Sequence, residues 1–482
     1  MIDMRAPGYV IGLLTAVLGV AMLFPMAVDL AEGQGHWFAF AQAALITIFA
    51  GGATALSCQN GVRERLTIQQ TFLLTTGVWL TLPIFGALPF VFGATQLAYV
   101  DGFFEAMSGL TTTGSTVLSD LDTLPKGLLL WRGLLQWLGG IGIIVVAMVF
   151  LPELRVGGMQ IFRSEGFDTA GKVLPRATEI SSRISTIYIT LTLFCTLVYV
   201  LCGMSIFDAT VHAMTTIATG GFANYDASFG AFQPSAQYAA CVFMILAALP
   251  FVRFVQLAAG TARPLLQDAQ IRTFLAVAVV IVGLLTLWTW FHSGMGAERG
   301  LRLALFNSVS LLTGTGYASA DYTSWGSFPV AVLFFTGLIG GCAGSTACSI
   351  KIFRYQLLFA SIRVQLRKIR SPHGLFTPRY DGRPVSDDIL NSVMSFFVFF
   401  IVTLGLFAVA LGMTGLDFVT SISGASAALA NIGPGMGDII GPSGNFAPLS
   451  DTAKWLLAAA MLLGRLELMA VYAILTVQFW RA

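Results

Sequence analysis

Long apolar segments recur through the whole chain, and they constrain its fold more than any other feature. Between Tyr9 and Trp480, run after run has the roughly 20 apolar residues that a helix needs to cross a bilayer. Only 10% of the 482 residues are charged, against about 25% in soluble domains. Because backbone groups inside lipid must be satisfied within the protein, spans of this length form helices. The sequence therefore predicts an all-α polytopic membrane protein and excludes a soluble enzyme.

Charge and cysteine usage exclude further classes. The net charge of +2 provides no basic face for a nucleic-acid partner. The six cysteines lie mostly in or beside apolar runs without metal-ligand spacing, so we expect buried thiols rather than disulfides or a metal centre. No small-residue cleavage site follows Arg5, so we expect the first run to be retained in a cytoplasmic or inner membrane.

The apolar runs form a hairpin followed by four similar units. Residues 9–30 and 37–57 are predicted to form the hairpin, within an N-terminal region of residues 1–70. Each later unit has an apolar run, a short amphipathic stretch, a Thr/Gly segment and a second apolar run. The central piece is too short and polar to cross alone, which indicates a re-entrant helix and loop between two full helices. The predicted units are residues 71–183, 184–270, 271–387 and 388–482.

Each unit carries a short segment that ends in glycine, and we call these glycine segments 1 to 4. In each unit the final glycine lies nine residues after a matching position in the short helix, which are Glu105, His212, Asn307 and Gly424. The repeated spacing indicates one membrane module copied four times. The glycine segments are Thr112-Thr113-Gly114, Thr219-Gly220-Gly221, Gly314-Thr315-Gly316 and Asn431-Ile432-Gly433.

Such segments suit ion conduction. Non-helical backbone is tolerated at membrane depth where it lines a water-filled path, and carbonyl oxygens can replace the hydration shell of a cation. Glycine adopts the required backbone dihedrals at little cost, and the C-terminal end of each short helix would favour a cation. Close helix packing is the alternative for any single segment, and packing is our interpretation of Gly139, Gly140 and Gly142 within one apolar run.

The distribution of basic residues predicts the orientation. The linkers at residues 59–70, 152–183, 253–272 and 351–388, with Arg5 and Arg481, hold 20 of the 26 basic residues. The positive-inside rule then places both termini in the cytoplasm and the glycine segments on the outer side.

With these motifs, the chain resembles the TrkH/KtrB superfamily of potassium uptake proteins. It resembles the TrkH branch in particular, because it has an extra N-terminal hairpin. The resemblance also rests on residues 340–346 and on Gly464-Arg465-Leu466-Glu467. It implies a pseudo-fourfold pore within one chain, with K⁺ as the transported ion at the glycine segments and no bound cofactor. It further implies a homodimer in the bacterial inner membrane and a cytosolic TrkA-type regulatory ring that binds NAD or ATP. Because all four final positions are glycine, K⁺ selectivity is expected.

The second apolar run of the third unit is interrupted by small residues at positions 340–349, which we call the small-residue loop. We expect these residues to break the helix below the glycine segments, although simple packing is an alternative. No Gly-Lys-Ser/Thr follows, so a phosphate-binding loop is excluded. The resemblance implies an intramembrane gate formed by Gly340, Gly341, Gly344, Ser345 and Thr346.

Arg465 is an ionisable residue within an apolar run, where such residues face a cavity or a partner. The two interpretations are a salt bridge to another helix and, as the resemblance implies, a positive barrier facing the pore. Glu105 and Asp101 could draw cations to the mouth, or could serve in capping or pairing. The basic stretch at residues 351–383 could meet anionic lipid or a cytosolic partner.

These observations predict a channel or channel-like transporter that moves K⁺ inward. The alternative is a secondary active symporter coupled to H⁺ or Na⁺, with broken helices at a midplane site and inverted repeats. Four units of the same sense argue against that alternative. An enzyme would need a convergent nucleophile, base or metal set, and the sequence shows none.

Overall fold

The computed structural model describes residues 3–33, 35–61, 66–146, 158–159, 177–292 and 294–481. The helices of the first half are α1 (Arg5–Ala21), α2 (Leu23–Ala31), α3 (Trp37–Cys58), α4 (Ile68–Gly86), α5 (Leu88–Phe92), α6 (Tyr99–Leu110), α7 (Lys126–Val145), α8 (Ala177–Leu201), α9 (Ile206–Ile217), α10 (Pro234–Ala247) and α11 (Phe251–Ala258). Those of the second half are α12 (Arg263–Gln267), α13 (Ala269–His292), α14 (Ala297–Leu312), α15 (Ser327–Leu338), α16 (Ile352–Arg370), α17 (Asp387–Gly412), α18 (Phe418–Ala430), α19 (Asp451–Arg465), α20 (Met469–Leu475) and α21 (Val477–Arg481). Strands β1 (Arg379–Tyr380) and β2 (Arg383–Pro384) pair antiparallel.

The all-α polytopic fold is confirmed. Among the described residues, seven helices are long and apolar enough to cross a membrane, and two bent helix pairs raise the number to as many as nine. The predicted span at residues 128–151 reaches beyond 146, and most of the linker at 152–183 and part of that at 59–70 lie outside the described residues.

Two runs that we expected to be full helices are bent. The run at residues 238–260 turns by 91° between α10 and α11, and the run at 455–477 turns by 110° between α19 and α20. Pro250 explains the first bend, because proline lacks an N–H and disfavours helical backbone in the preceding residue. At the second bend Glu467 and Leu468 have φ of 62° and 47°, which cannot continue a right-handed helix.

The N-terminal hairpin packs closely on itself. A Cβ on Gly12 would lie closer than 3.0 Å to backbone atoms of Gly51 and Ala55, so the two helices touch through their main chains. Helix α2 then contacts α7 of the first unit, where the buried Asp29 carboxylate accepts a hydrogen bond from Gly127 N at 2.6 Å. The hairpin is thereby fixed against the rest of the molecule.

Four short helices end at the glycine segments, as predicted. These re-entrant helices 1 to 4 are α6, α9, α14 and α18. The packing interpretation of two glycines in α7 is also confirmed, because a Cβ on Gly139 would collide with Leu110 O and one on Gly140 with Tyr188 and Ala218. Helix α7 thus lies directly against the ends of re-entrant helices 1 and 2.

Candidate ion-conduction site

All four re-entrant helices end with the same hydrogen bond. In each, the middle residue of the glycine segment donates its N–H to the carbonyl five residues earlier, which is the Schellman arrangement of a helix C-terminus. The bonds are Thr113 N to Ser108 O (2.9 Å), Gly220 N to Thr215 O (2.8 Å), Thr315 N to Ser310 O (2.8 Å) and Ile432 N to Ala427 O (2.9 Å). The N–H groups therefore point back to the helix.

The backbone of each glycine segment is left-handed at its first and third residues. The φ angles are 51° and 87° at Thr112 and Gly114, 50° and 82° at Thr219 and Gly221, 69° and 83° at Gly314 and Gly316, and 51° and 104° at Asn431 and Gly433. Three of the first positions are not glycine, and such residues cost about 1–3 kcal/mol each unless their surroundings fix them. A conformation that recurs in all four segments, and at this cost in three of them, indicates a functional site.

The four glycine segments form a closed ring in chain order. A Cβ on the final glycine of any segment would lie closer than 3.0 Å to the carbonyl oxygen of the middle residue in the next segment. The pairs are Gly114 with Gly220 O, Gly221 with Thr315 O, Gly316 with Ile432 O, and Gly433 with Thr113 O. Glycine is thus required at all four positions by its φ angle and by the approach of a neighbouring carbonyl.

Carbonyl oxygens in this ring remain available. Among the residues that the structure describes, the carbonyls of Thr113, Thr315 and Ile432 accept no hydrogen bond. Oxygens at the same level of a ring, free of other partners, are the ligands that a dehydrated alkali cation needs. The ring can therefore replace the hydration shell of such a cation.

Side chains behind the ring hold the segments in place. Asn431 Nδ2 donates to Thr113 Oγ1 and to Met461 O, both at 2.9 Å, and Ser115 Oγ donates to Gly433 O at 2.7 Å. These bonds join the first and last units and so close the ring.

Two buried polar residues of α7 were not singled out from the sequence. Gln136 donates from Nε2 to Gly220 O and accepts from Phe222 N at Oε1 (3.0 Å). Arg132 donates from Nε to Glu105 Oε1 at 2.8 Å and from Nη1 to Ala223 O at 2.7 Å. Their polarity within an apolar run was the available signal.

The acidic residues of re-entrant helix 1 are paired. Glu105 is buried beside Arg132, and Asp101 lies 2.6 Å from Lys454 Nζ. The pairing interpretation is thus confirmed. A cavity beside the ring is lined by Gly114, Gly221 and Gly316 and by the carboxylate residue Asp226.

The predicted helix break in the third unit is confirmed, since α15 ends at Leu338 and α16 begins at Ile352. The small-residue loop between them is buried against the first bend. Its anchors are Cys342 N to Ala248 O (3.0 Å), Phe251 N to Gly344 O (2.9 Å), Thr346 Oγ1 to Ala247 O (3.0 Å) and Ala343 N to Gln270 Oε1 (2.9 Å). The small-residue loop therefore packs against the bend between α10 and α11.

The small-residue loop is tightly built at its predicted gating residues. A Cβ on Gly340 would collide with Cys348 O and one on Gly341 with Ala347, while Gly344 has a φ of 73°. Ser345 Oγ donates to Cys342 O at 2.6 Å. The far end of the loop reaches the glycine segments, where Cys348 Sγ lies 3.8 Å from Thr112 Oγ1 and Ser349 N donates to Ala430 O at 3.1 Å.

Arg465 is 3% exposed and lines a cavity that the small-residue loop borders through Gly344, Ser345 and Cys348. Its Nη1 donates to Cys348 Sγ, and its Nη2 donates to Gly139 O at 3.2 Å. Among the described residues, no carboxylate pairs with Arg465. Nearby, Arg354 pairs with Glu467.

The sequence model of the TrkH family, described as cation transport protein, matches residues 36–479. The chain belongs to the TrkH family. Among its relatives, it is 44% identical to the Trk system potassium uptake protein TrkI of Halomonas elongata, over 98% of this chain and 96% of that protein. It is 35% identical to the Trk system potassium uptake protein TrkH of Escherichia coli K12, over 99% of both chains.

The fold of this TrkH-family chain also matches a solved structure. The crystal structure of the potassium transporter TrkH from Vibrio parahaemolyticus superposes with a TM-score of 0.91 and 32% identity, over 99% of both chains. The TrkH family comprises cation transport proteins rather than enzymes, and the bent helices and re-entrant segments described above agree with that class.

Proposed function

We propose that this chain takes up K⁺ through the ring of glycine segments. The observation that carries the proposal is the closed contact of each final glycine with the next segment's carbonyl, which gives one aperture lined by oxygen atoms. Relatives named as potassium uptake proteins cover nearly the whole chain and support K⁺ as the ion. The filter residues are Thr112, Thr113, Gly114, Thr219, Gly220, Gly221, Gly314, Thr315, Gly316, Asn431, Ile432 and Gly433.

The proposed gate is the small-residue loop with Arg465. Loop residue Cys348 lies beneath Thr112 and contacts Arg465, so both the loop and a buried positive charge stand on the inner side of the ring. A K⁺ ion leaving the ring would meet that charge in a low-dielectric setting, where like charges repel strongly. Movement of residues 340–346 would open the path.

The orientation and partners are part of the same proposal. Both termini lie in the cytoplasm of a bacterial inner membrane, because 20 of 26 basic residues lie in the termini and linkers assigned to that side. The chain works as a homodimer with a cytosolic TrkA-type ring that binds NAD or ATP. A coupled symporter is the disfavoured alternative, because the four glycine segments make the same contact with one another around a closed ring, whereas inverted repeats would place them in opposite senses.

The test is ⁸⁶Rb⁺ uptake into proteoliposomes loaded with K⁺, with K⁺, Na⁺ and Li⁺ as competitors. We expect competition by K⁺ and not by Na⁺ or Li⁺, and loss of this preference in Gly114→Ser. The matched control is Gly283→Ser, because Gly283 lies in α13 with open space around it and an ordinary φ. Uptake that ignores both cation and mutation, with the TrkA-type partner and nucleotide added, would overturn the proposal.

A further inference from the structure

The cavity beneath the ring carries more positive charge than the described residues balance. Among the described residues, its lining holds the cations Lys351, Arg354 and Arg465 and one carboxylate, Glu467. Arg354 is paired with Glu467, which leaves two cationic side chains in the cavity wall. A buried charge without a counter-charge is costly, more so within a membrane.

The two remaining cations are held only by neutral groups. Lys351 Nζ donates to Ala347 O, and Arg465 donates to Cys348 Sγ and Gly139 O. In the described part of the chain, no carboxylate lies within ion-pair distance of either. Glu467 attracts Lys351 from a distance, while Arg465 and Arg354 repel it.

One donor in this wall has no partner. Arg465 Nε is buried and makes no hydrogen bond among the described residues, although Arg465 lines the cavity. An unpartnered buried N–H is commonly satisfied by an ordered water or by an ion. In a wall that holds Arg465 and Lys351 with no carboxylate paired to either among the described residues, an anion would satisfy the donor and also lower the electrostatic cost.

We propose that the cavity beneath the ring binds one small monovalent anion of the halide class, between Arg465 and Lys351. The cavity has room for about two water molecules, which suits an ion of the size of chloride. One bound chloride neutralises one of the two uncompensated charges. It thereby stabilises the arrangement in which the small-residue loop contacts Arg465.

The binding itself does not depend on the proposed function, but its effect on transport does. An anion that binds the closed arrangement preferentially shifts the equilibrium towards it by mass action. Chloride at ten times its Kd would lower the open fraction, and with it the flux, by up to about tenfold. Replacing chloride by gluconate would reverse that effect.

The direct test is a bromide soak of crystals of the whole protein, with the anomalous signal of bromide as the probe. We expect one peak beside Arg465 and Lys351 in the wild type and none in Arg465→Gln. The matched control is Arg363→Gln, which removes the same charge from an exposed position of α16 and should retain the peak. A wild-type cavity without bromide at saturating concentration overturns the proposal.

The functional test compares ⁸⁶Rb⁺ flux in chloride and in gluconate. Wild type and Arg363→Gln should be faster in gluconate, while Arg465→Gln should be equal in both. If K⁺-selective flux is present but indifferent to chloride, the anion site fails and the proposed function stands. If flux lacks cation preference while bromide binds, the proposed function fails and the anion site stands. A chloride effect that appears only in Cys348→Ser would identify a Cys348 thiolate as the counter-charge and overturn the proposal.

Discussion

The side-chain Nε2 of Gln136 donates a hydrogen bond to the carbonyl oxygen of Gly220. Its Oε1 accepts from Phe222 N, so one side-chain amide binds glycine segment 2 on both sides of Gly221. Helix α7 belongs to the first unit, and the bond therefore joins two units at the ring.

Gln136→Leu should widen or loosen glycine segment 2. The change leaves the buried Phe222 N–H without its acceptor, which costs about 1–3 kcal/mol. We expect a lower melting temperature and Na⁺ competition with ⁸⁶Rb⁺ uptake that the wild type lacks. Thr54→Val is the control, because it removes an exposed hydroxyl that bonds only within its own helix. If a folded Gln136→Leu protein kept the cation preference of the wild type, the two hydrogen bonds of Gln136 would not determine the selectivity of the ring.

Glu467→Gln should destabilise the protein, because it removes the carboxylate that pairs with the buried Arg354. Breaking one partner of a buried pair costs about 3–5 kcal/mol. Replacing both, as Arg354→Met with Glu467→Met, should recover most of that loss, since an apolar pair of similar size avoids desolvation. Thermal unfolding in detergent measures both. A double variant no more stable than Glu467→Gln would contradict this account.

Deletion of residues 341–346 should raise ⁸⁶Rb⁺ flux without the proposed cytosolic partner, because these residues pack on the first helix bend and form the main part of the proposed gate. Size-exclusion chromatography shows whether the shortened chain is folded and keeps the oligomeric state of the wild type. Flux that is unchanged or lost in such a protein would argue for a packing role of the loop.

Arg465→Ala should also raise ⁸⁶Rb⁺ flux, since it removes a buried positive charge from the cavity wall beside the small-residue loop, on the proposed ion path. Flux is compared at equal protein level, with Arg363→Ala as the charge-matched control. A lower flux would instead assign Arg465 a structural role through Cys348 and Gly139.

Asp417 caps re-entrant helix 4, and hydrogen bonds from Thr420 lower the pKa of its exposed carboxyl group. A lowered pKa means that the ionised form stabilises the fold, and that this contribution is lost as the pH falls through the folded-state value. Asp417→Ala should therefore be less stable than wild type at pH 7, by about 1 kcal/mol. The difference in the free energy of unfolding between wild type and Asp417→Ala should decrease below about pH 4, where the carboxyl group of the unfolded state becomes protonated. Melting temperatures of wild type, Asp417→Ala and Asp417→Asn across this range check the prediction. Asparagine can cap without titrating, so Asp417→Asn should be more stable than Asp417→Ala by an amount that does not change with pH. Equal stability of the two variants would leave the capping bond a minor cause.

The sequence was sufficient for the parts of the fold that depend on local pattern. Apolar runs predicted the spans, and the nine-residue spacing predicted that short helices end near Gly114, Gly221, Gly316 and Gly433. The helix break after Leu338 followed from its small residues. These features depend on residues that are close together in the sequence, so a sequence pattern is enough to predict them.

Contacts between distant residues could not be predicted in this way. Arg354 and Glu467 are 113 positions apart, and Glu467 was assigned to a continuous helix because no proline or glycine marks its left-handed backbone. Gln136 was overlooked because its partner is a backbone carbonyl of another unit. In each case the partner depends on how the units pack around a common axis.

The ring has fourfold repetition only in its main chain. Thr112, Thr219, Gly314 and Asn431 occupy matching left-handed positions with different side chains. In a ring made of four identical chains, every mutation changes all four segments. In this single chain, one mutation changes one segment and leaves the other three unchanged. Mutation can therefore make the ring asymmetric, which a ring of four identical subunits does not permit.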